Sequence, residues 1–330
     1  MQEITLTEAE AGQRLDRYLR KLLPAVPLGA IFRLLRQGDI RVDGRKCKGD
    51  LRLTAGMKVS LRLPAAEIRP APSRPSAGGT NGRDDLDVLD LLPSPDLGPA
   101  RGRAAADSPL APRIVFRDDQ VLVVSKPAGL AIHPGTRQEH SLTGWLQTQR
   151  LGVRTATFAP APAHRLDRGT SGLVVIGLTP DALRGLTAAF REGTVDKVYF
   201  AVVHGVPSRP TGTITAPLWQ DPDADPRAAK VLVDERGQPA RTDYELVKQG
   251  RHMALLRVQP HSGRQHQIRA HLSHIGHPIV GDHRYGSIAE VGRGFLLHAG
   301  ELAFPHPRTG KKVRYSDPMP KDFHKLLDPD

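Results

Sequence analysis

Between Ala66 and Pro112 the chain carries eight prolines and five glycines, no lysine, and runs such as PAPSRPSAGGTNGR. Proline removes a backbone donor and fixes φ, while glycine adds conformational entropy. The few apolar residues left in this stretch cannot bury enough surface to offset the cost of ordering it. A single continuous core through all 330 residues is therefore excluded. The sequence predicts a small module over residues 1–65, a flexible linker over 66–112 holding at most a short turn of helix at Leu86–Leu92, and a larger domain over 113–330. The larger domain is long enough to bury a core of enzyme size. No internal repeat is visible.

Charge divides along the same lines. Residues 1–65 carry a net +6, the linker −2 and residues 113–330 +8, for a total of +12 and a pI near 10.1. Two basic bodies predict a polyanionic partner, nucleic acid ahead of a membrane surface. The single cysteine, Cys47, excludes an internal disulfide scaffold and any Cys-rich zinc module, and a reducing cytoplasm is the expected compartment. The first thirty residues hold Glu3, Glu8, Glu10 and Asp16 and do not read as a signal or transit peptide. No run of about 18 apolar residues predicts a membrane crossing.

In the first module Leu15, Tyr18, Leu19, Leu22 and Leu23 recur at helical spacing, Pro24 and Pro27 interrupt, and Ile31, Phe32, Leu34 and Leu35 resume the pattern up to Gly38. A β-type alternation, Ile40-Arg41-Val42, then runs into the turn signal Asp43-Gly44, and Met57–Leu61 alternates again. Most polar positions are basic. A solvated helix face accounts for any one of them. Together, RLDRYLRKLLP, RLLRQGDIRVDGRK and LTAGMKV resemble the small αL RNA-binding module first described in a ribosomal protein of the small subunit, over roughly residues 12–64. The resemblance implies that Arg33, Arg36, Arg41, Arg45 and Lys46 hold RNA phosphates, contacts that position a protein without reading sequence.

In the larger domain, β-rich runs are expected at Gly172–Gly177, Lys197–Val203, Ala240–Val247 and Met253–Val258, with two more in the stretch from Arg113 to Gly135. Helices are expected at Ser141–Arg150, Asp181–Phe190 and Gln265–His274. Strands and helices do not alternate strictly, and no phosphate-cradling glycine loop is present, so a doubly wound nucleotide-binding sheet is disfavoured. The prediction is an α+β domain built on a mixed, largely antiparallel sheet.

The segment most suggestive of chemistry is Ala163-His-Arg-Leu-Asp-Arg-Gly-Thr-Ser-Gly-Leu-Val-Val175. Asp167 lies between Arg165 and Arg168, just before a glycine-rich turn into an apolar strand, where opposite charge favours the ionised carboxylate a nucleophile requires. A cap or a loop salt bridge uses the same pattern, and spacing does not choose between the readings. HRLDRGTSGL, however, resembles almost letter for letter the catalytic loop of the RluA-type pseudouridine synthase family, which isomerises uridines in ribosomal and transfer RNA. DDQVLVVSKPAGLAIHPG, DKVYFAVV, HSGRQHQIRAHLSHIGHPIVGDHRYG and LLHAGELAFPHP fit the same family in the same order, over nearly all of residues 113–310. His283 departs from the family, which usually has an acidic residue or glycine there, and the linker is longer than expected.

The resemblance implies a monomeric enzyme acting on large-subunit (23S) ribosomal RNA or its precursor particle. Pseudouridine formation breaks the N-glycosidic bond, turns the base and rejoins the ribose to carbon 5, with no atom gained or lost. No redox cofactor, metal or ATP is expected. What the reaction needs is a carboxylate against sugar or base, and by resemblance that is Asp167. Arg269 is implied as its basic partner and Tyr199 as an active-site tyrosine able to stack on the uracil and to serve in proton transfer at carbon 5. Arg165 is implied in turning the target nucleotide out of its stack, with Arg264 as a further RNA contact. Two alternatives stay open: a synthase of transfer RNA, and an RNA-binding assembly factor without catalysis. A third, a metal hydrolase, draws on His261, His266, His271, His274, His277 and His283, but no HExxH or cysteine pair accompanies them.

Overall fold

A computed structural model describes residues 2–24, 26–63, 110–134, 140–149, 151–155, 157–221, 230–325 and 327. Nearly all of the expected linker, including the turn of helix at Leu86–Leu92, lies outside the described residues.

The N-terminal body is a three-stranded antiparallel sheet in the order β1 (Gln2–Thr5), β3 (Lys58–Leu61), β2 (Ile40–Val42), packed with helices α1 (Leu15–Leu22) and α2 (Leu28–Gln37). Its core is the apolar stripe read from the sequence: Leu15, Tyr18, Leu19, Leu22, Ile31 and Leu35 meet Ile40, Val42, Val59 and Leu61 from the sheet. Helix α2 ends where Gly38 takes a left-handed conformation (φ 85°), as a helix C-terminus favours. The Asp-Gly signal is a two-residue turn: Asp43 and Gly44 have φ of 48° and 73°, Val42 and Arg45 exchange both backbone hydrogen bonds, and Asp43 Oδ1 accepts from the Lys58 N–H at 2.8 Å.

The larger body is built on ten strands. In chain order these are β4 (Arg113–Arg117), β5 (Val121–Lys126), β6 (Ala161–Pro162), β7 (Ser171–Gly177), β8 (Asp196–His204), β9 (Thr211–Thr215), β12 (Arg241–Gln249), β13 (Met253–Pro260), β14 (Leu297–Pro305) and β15 (Lys312–Ser316). A separate small pair is formed by β10 (Leu218–Gln220) and β11 (Val231–Val233). The main sheet runs β4-β5-β7-β14-β8-β13-β12-β9, with β6 on β7 and β15 on β14. Among the described pairs only β7 with β14 is parallel, which agrees with the expected α+β class.

The buried middle strands follow from period-two alternation. Val121 and Val123 of β5 and Leu173 and Val175 of β7 face Leu183, Leu186 and Ala189 of α4 (Pro180–Arg191). Leu122, Val124, Val174 and Ile176 face the other way, onto Leu142 and Leu146 of α3 (Leu142–Thr148). Farther along, Ala201 and Val203 of β8 and Ala254, Leu256 and Val258 of β13 receive Ile268 and Leu272 of α5 (Gln267–His274). A short helix, α6 (Asp322–Lys325), sets Phe323 against Val202 and Leu255. The three long expected helices are present with ends shifted by a few residues. Strands β1, β6, β9, β10, β11, β14 and β15 were not foreseen, because they are short, edge-placed or interrupted by Gly300, and the alternation is too brief to read.

Candidate active site

The loop holding Asp167 joins β6 to β7, and its shape is set by packing. Gly169 lies against the Phe295 ring, where a Cβ would come within 2.5 Å of the ring, and Gly172 (φ 112°) lets β7 close onto the Ala299 backbone of β14. The Arg168 carbonyl accepts from the Gly129 N–H (2.8 Å) and from Lys126 Nζ (3.3 Å). That fully buried ammonium also donates to the carbonyls of Leu130 (2.9 Å) and Pro127 (3.1 Å). Burial pushes Lys126 down to about 7, opposed by the nearby charge of Asp167. Lys126 therefore ties the SKPAG turn to the Asp167 loop through three backbone carbonyls.

Asp167 is met by Arg269, which reaches across from α5. Arg269 Nη1 donates to Asp167 Oδ2 at 2.8 Å. Its other edge is held by Asp282, with Nε to Oδ2 at 2.6 Å and Nη2 to Oδ1 at 2.9 Å. Its Cζ lies 4.5 Å from the Phe295 ring centre and 4.8 Å from that of Tyr285. Burial works against the charge of Arg269, but hydrogen bonding to Asp282 and then the charges of Asp167 and Asp282 hold it above its ordinary value. The direct pair to Asp167 is therefore made by Arg269, with Arg165 and Arg168 on the lining of the same cleft. Arg168 Nε donates to the Gly129 carbonyl and Arg165 is exposed, whereas the direct pair comes from 102 residues away. Arg269 starts its helix in the right place because Gln267 locks the preceding turn: its Oε1 accepts from Ser262 Oγ and Arg264 N–H, and its Nε2 donates to Arg241 O and Thr242 Oγ1.

Asp167 and Arg269 line a cleft of about 480 Å³ together with Ile132, His133, Leu166, His266, Arg284 and Phe295. Asp167 is the one acid among the described lining residues, facing Arg165, Arg168, Arg269 and Arg284. Such a site attracts a phosphate backbone and offers one carboxylate for chemistry. Tyr199 is brought near Asp167 but does not line the cleft. It sits half-buried on β8, opposite Val258 and Ala299, and burial together with the charge of Asp167 pushes its phenol up. Arg264 is exposed and gives its Nε to the Pro239 carbonyl at 3.3 Å. On the N-terminal body Arg33, Arg36, Arg45 and Lys46 are exposed, while Arg41 is half-buried and donates to the carbonyls of Gly38 and Gly44. Sequence reasoning missed Asp282 as the partner of Arg269, and His266, His133, Arg284 and Phe295 as cleft residues.

The histidines go elsewhere than to a shared metal. His271 Nε2 donates to Ala216 O, His277 Nδ1 to His204 O and His283 Nδ1 to Ser287 O, His261 pairs with Asp243, and His274 is exposed. Among the described residues no group of three potential metal ligands converges.

Residues 120–274 match the family model described as RNA pseudouridylate synthase, and residues 13–59 match the S4 domain. The chain belongs to the RNA pseudouridylate synthase family and is an isomerase of that family, with an S4 RNA-binding module in front. Among curated proteins it is 32% identical to ribosomal large subunit pseudouridine synthase C of Pasteurella multocida, covering 98% of this chain and 92% of the relative. It is 33% identical to the protein of the same name in Escherichia coli strain K12, covering 98% and 95%. A solved structure, human RNA pseudouridylate synthase domain containing 1, superimposes with a TM-score of 0.56 at 27% identity, covering 67% of this chain and 88% of that one.

Proposed function

We propose that this enzyme converts uridines of large-subunit ribosomal RNA to pseudouridine, with Asp167 as the catalytic carboxylate. The observation that carries the reading is the Asp167–Arg269–Asp282 arrangement in a basic cleft. The substrate follows from relatives named for the large ribosomal subunit that align along nearly the whole chain. In this reading Arg269 orients the carboxylate so that Oδ1 faces the cleft, and Arg165 clamps or replaces the nucleotide as it leaves its stack. The compartment is that of ribosome assembly, the cytoplasm. Among the described residues no helix is long and apolar enough to cross a membrane. Mapping pseudouridine in ribosomal RNA from a deletion strain and from its complemented parent tests the assignment. Sites that vanish only from transfer RNA would move the substrate class, and an unchanged map would remove the activity.

Residues 1–65 act in this proposal as a second binding module in the same chain, raising the effective RNA concentration at the cleft. Their deletion is expected to weaken binding and leave the single-turnover rate at saturating RNA within about twofold. Neutralising Arg36 and Arg45 should flatten the dependence of log affinity on log salt by about 0.7 to 0.9 for each phosphate these side chains no longer neutralise. A hundredfold fall in the saturated rate with unchanged affinity would instead make the module part of the catalytic site.

Tyr199 is assigned to proton transfer at carbon 5. Tyr199→Phe should then keep the melting temperature and RNA affinity while turnover falls by about 10²-fold or more. Tyr199→Leu should lose stability as well, since the ring packs against both core clusters of the sheet. Full turnover in the Phe variant would reduce Tyr199 to a packing residue.

A further inference from the structure

His266 is one of two described non-glycine residues with positive φ (φ 51°), and it caps the helix that carries Arg269. A left-handed backbone at a histidine is uncommon and is maintained only where its surroundings fix it. Here it turns the ring into the cleft, with 9% of the side chain exposed, edge-on to Tyr285 at 5.8 Å. The tautomer follows from what each ring nitrogen faces. The Tyr285 hydroxyl accepts from the Val231 N–H at 3.0 Å and lies 3.0 Å from His266 Nδ1. Nε2 faces the Asp167 carboxylate, where a proton is attracted and a lone pair repelled, so the neutral ring carries its proton on Nε2 and Nδ1 takes the phenol proton. Burial pushes His266 down to about 4, partly opposed by Asp167, so the ring is neutral at physiological pH.

That leaves a single N–H donor aimed into the cleft, 3.8 Å from Asp167 Oδ1. The gap is too long for a direct hydrogen bond, yet one oxygen about 2.8 Å from each atom spans it. The oxygen must accept from Nε2–H and donate to a carboxylate at once. A uracil carbonyl can only accept, and the uracil N3–H can only donate. Within an internal RNA nucleotide only the ribose 2′-hydroxyl does both. We infer that His266 is a substrate-contacting residue which, with Asp167 Oδ1, grips the 2′-hydroxyl of the target uridine and so seats the sugar against the carboxylate. This rests on the pseudouridine synthase reading of the cleft.

The test is a cycle on the full chain, using a synthetic RNA hairpin that spans a uridine the purified enzyme modifies, made with uridine or 2′-deoxyuridine at that position. Wild type should bind the deoxy hairpin about three- to tenfold more weakly. His266→Ala should lose a similar factor on the ribose hairpin and nothing further on the deoxy one. His266→Gln, whose amide can place an N–H near the position of Nε2, should recover part of the ribose preference. Tyr285→Phe, which removes the proton donor to Nδ1, should lose part of it. Melting temperatures of all variants separate folding from recognition, and the sugar ratio within one variant is unaffected by a lower active fraction. Equal losses on both sugars, or a His266→Ala enzyme that keeps the wild-type ratio, would overturn the inference. If wild type modifies no uridine in large-subunit RNA, it is the proposed function that fails.

Discussion

Asp167→Asn is expected to abolish isomerisation, by on the order of 10⁴-fold, while the fold survives and RNA affinity falls by no more than about the three- to tenfold that the 2′-hydroxyl contact supplies. The amide is nearly the size of the carboxylate and can still offer an oxygen to Arg269 Nη1, so the pocket keeps its shape. Arg269 does not become an unpaired buried charge, because Asp282 retains both hydrogen bonds to its other edge. What disappears is a group able to add to the base or to take a proton from the sugar. Tritium release from a large-subunit RNA transcript labelled at carbon 5 of uridine measures turnover, and filter binding measures affinity. Turnover within tenfold of wild type would remove Asp167 from the chemistry. A loss of affinity equal to the loss of turnover would show instead that the charge serves binding.

Much of this was legible in the sequence because the signals were local. The helical stripe from Leu15 to Leu35, the Asp43-Gly44 turn and the apolar runs of β5 and β7 are each decided within about ten residues, and burial then followed the predicted faces. The loop around Asp167 was legible for the same reason. Its ion pair with Arg269 was legible only through the family resemblance, since spacing alone points to the charges adjacent in sequence, and a loop can turn those outward. Arg165 is exposed, and the pairing guanidinium comes from a helix across the sheet. Asp282 carried no local signal that singled it out. The signal available in retrospect is that a buried arginine has more donors than one carboxylate can satisfy, so a second acid had to be sought near Arg269. His266 was hidden for a different reason: its backbone conformation, which aims its ring, has no signature in composition or period.

Asp282→Ala should then be the most destabilising single change near the site. Arg269 and Asp282 are almost wholly withdrawn from solvent, with 7% and 2% of their side chains exposed. Removing the acid strips two hydrogen bonds from a guanidinium that cannot give up its proton, and breaking such a buried pair costs about 3 to 5 kcal/mol. For a domain of this size each kcal/mol lowers the melting temperature by about 2 to 4 °C. The guanidinium would also be free to rotate toward Asp167, so turnover should fall along with stability. Stability and catalysis can be separated by replacing both members. Arg269→Met with Asp282→Leu leaves no buried charge and keeps an apolar surface for Phe295 and Tyr285, so it should regain most of the lost stability while remaining inactive. Melting curves and tritium release on wild type, the single variant and the double variant decide. If Asp282→Ala melts with wild type and turns over normally, Asp282 does not hold Arg269 in place. If the double variant is active, the guanidinium is not what orients Asp167.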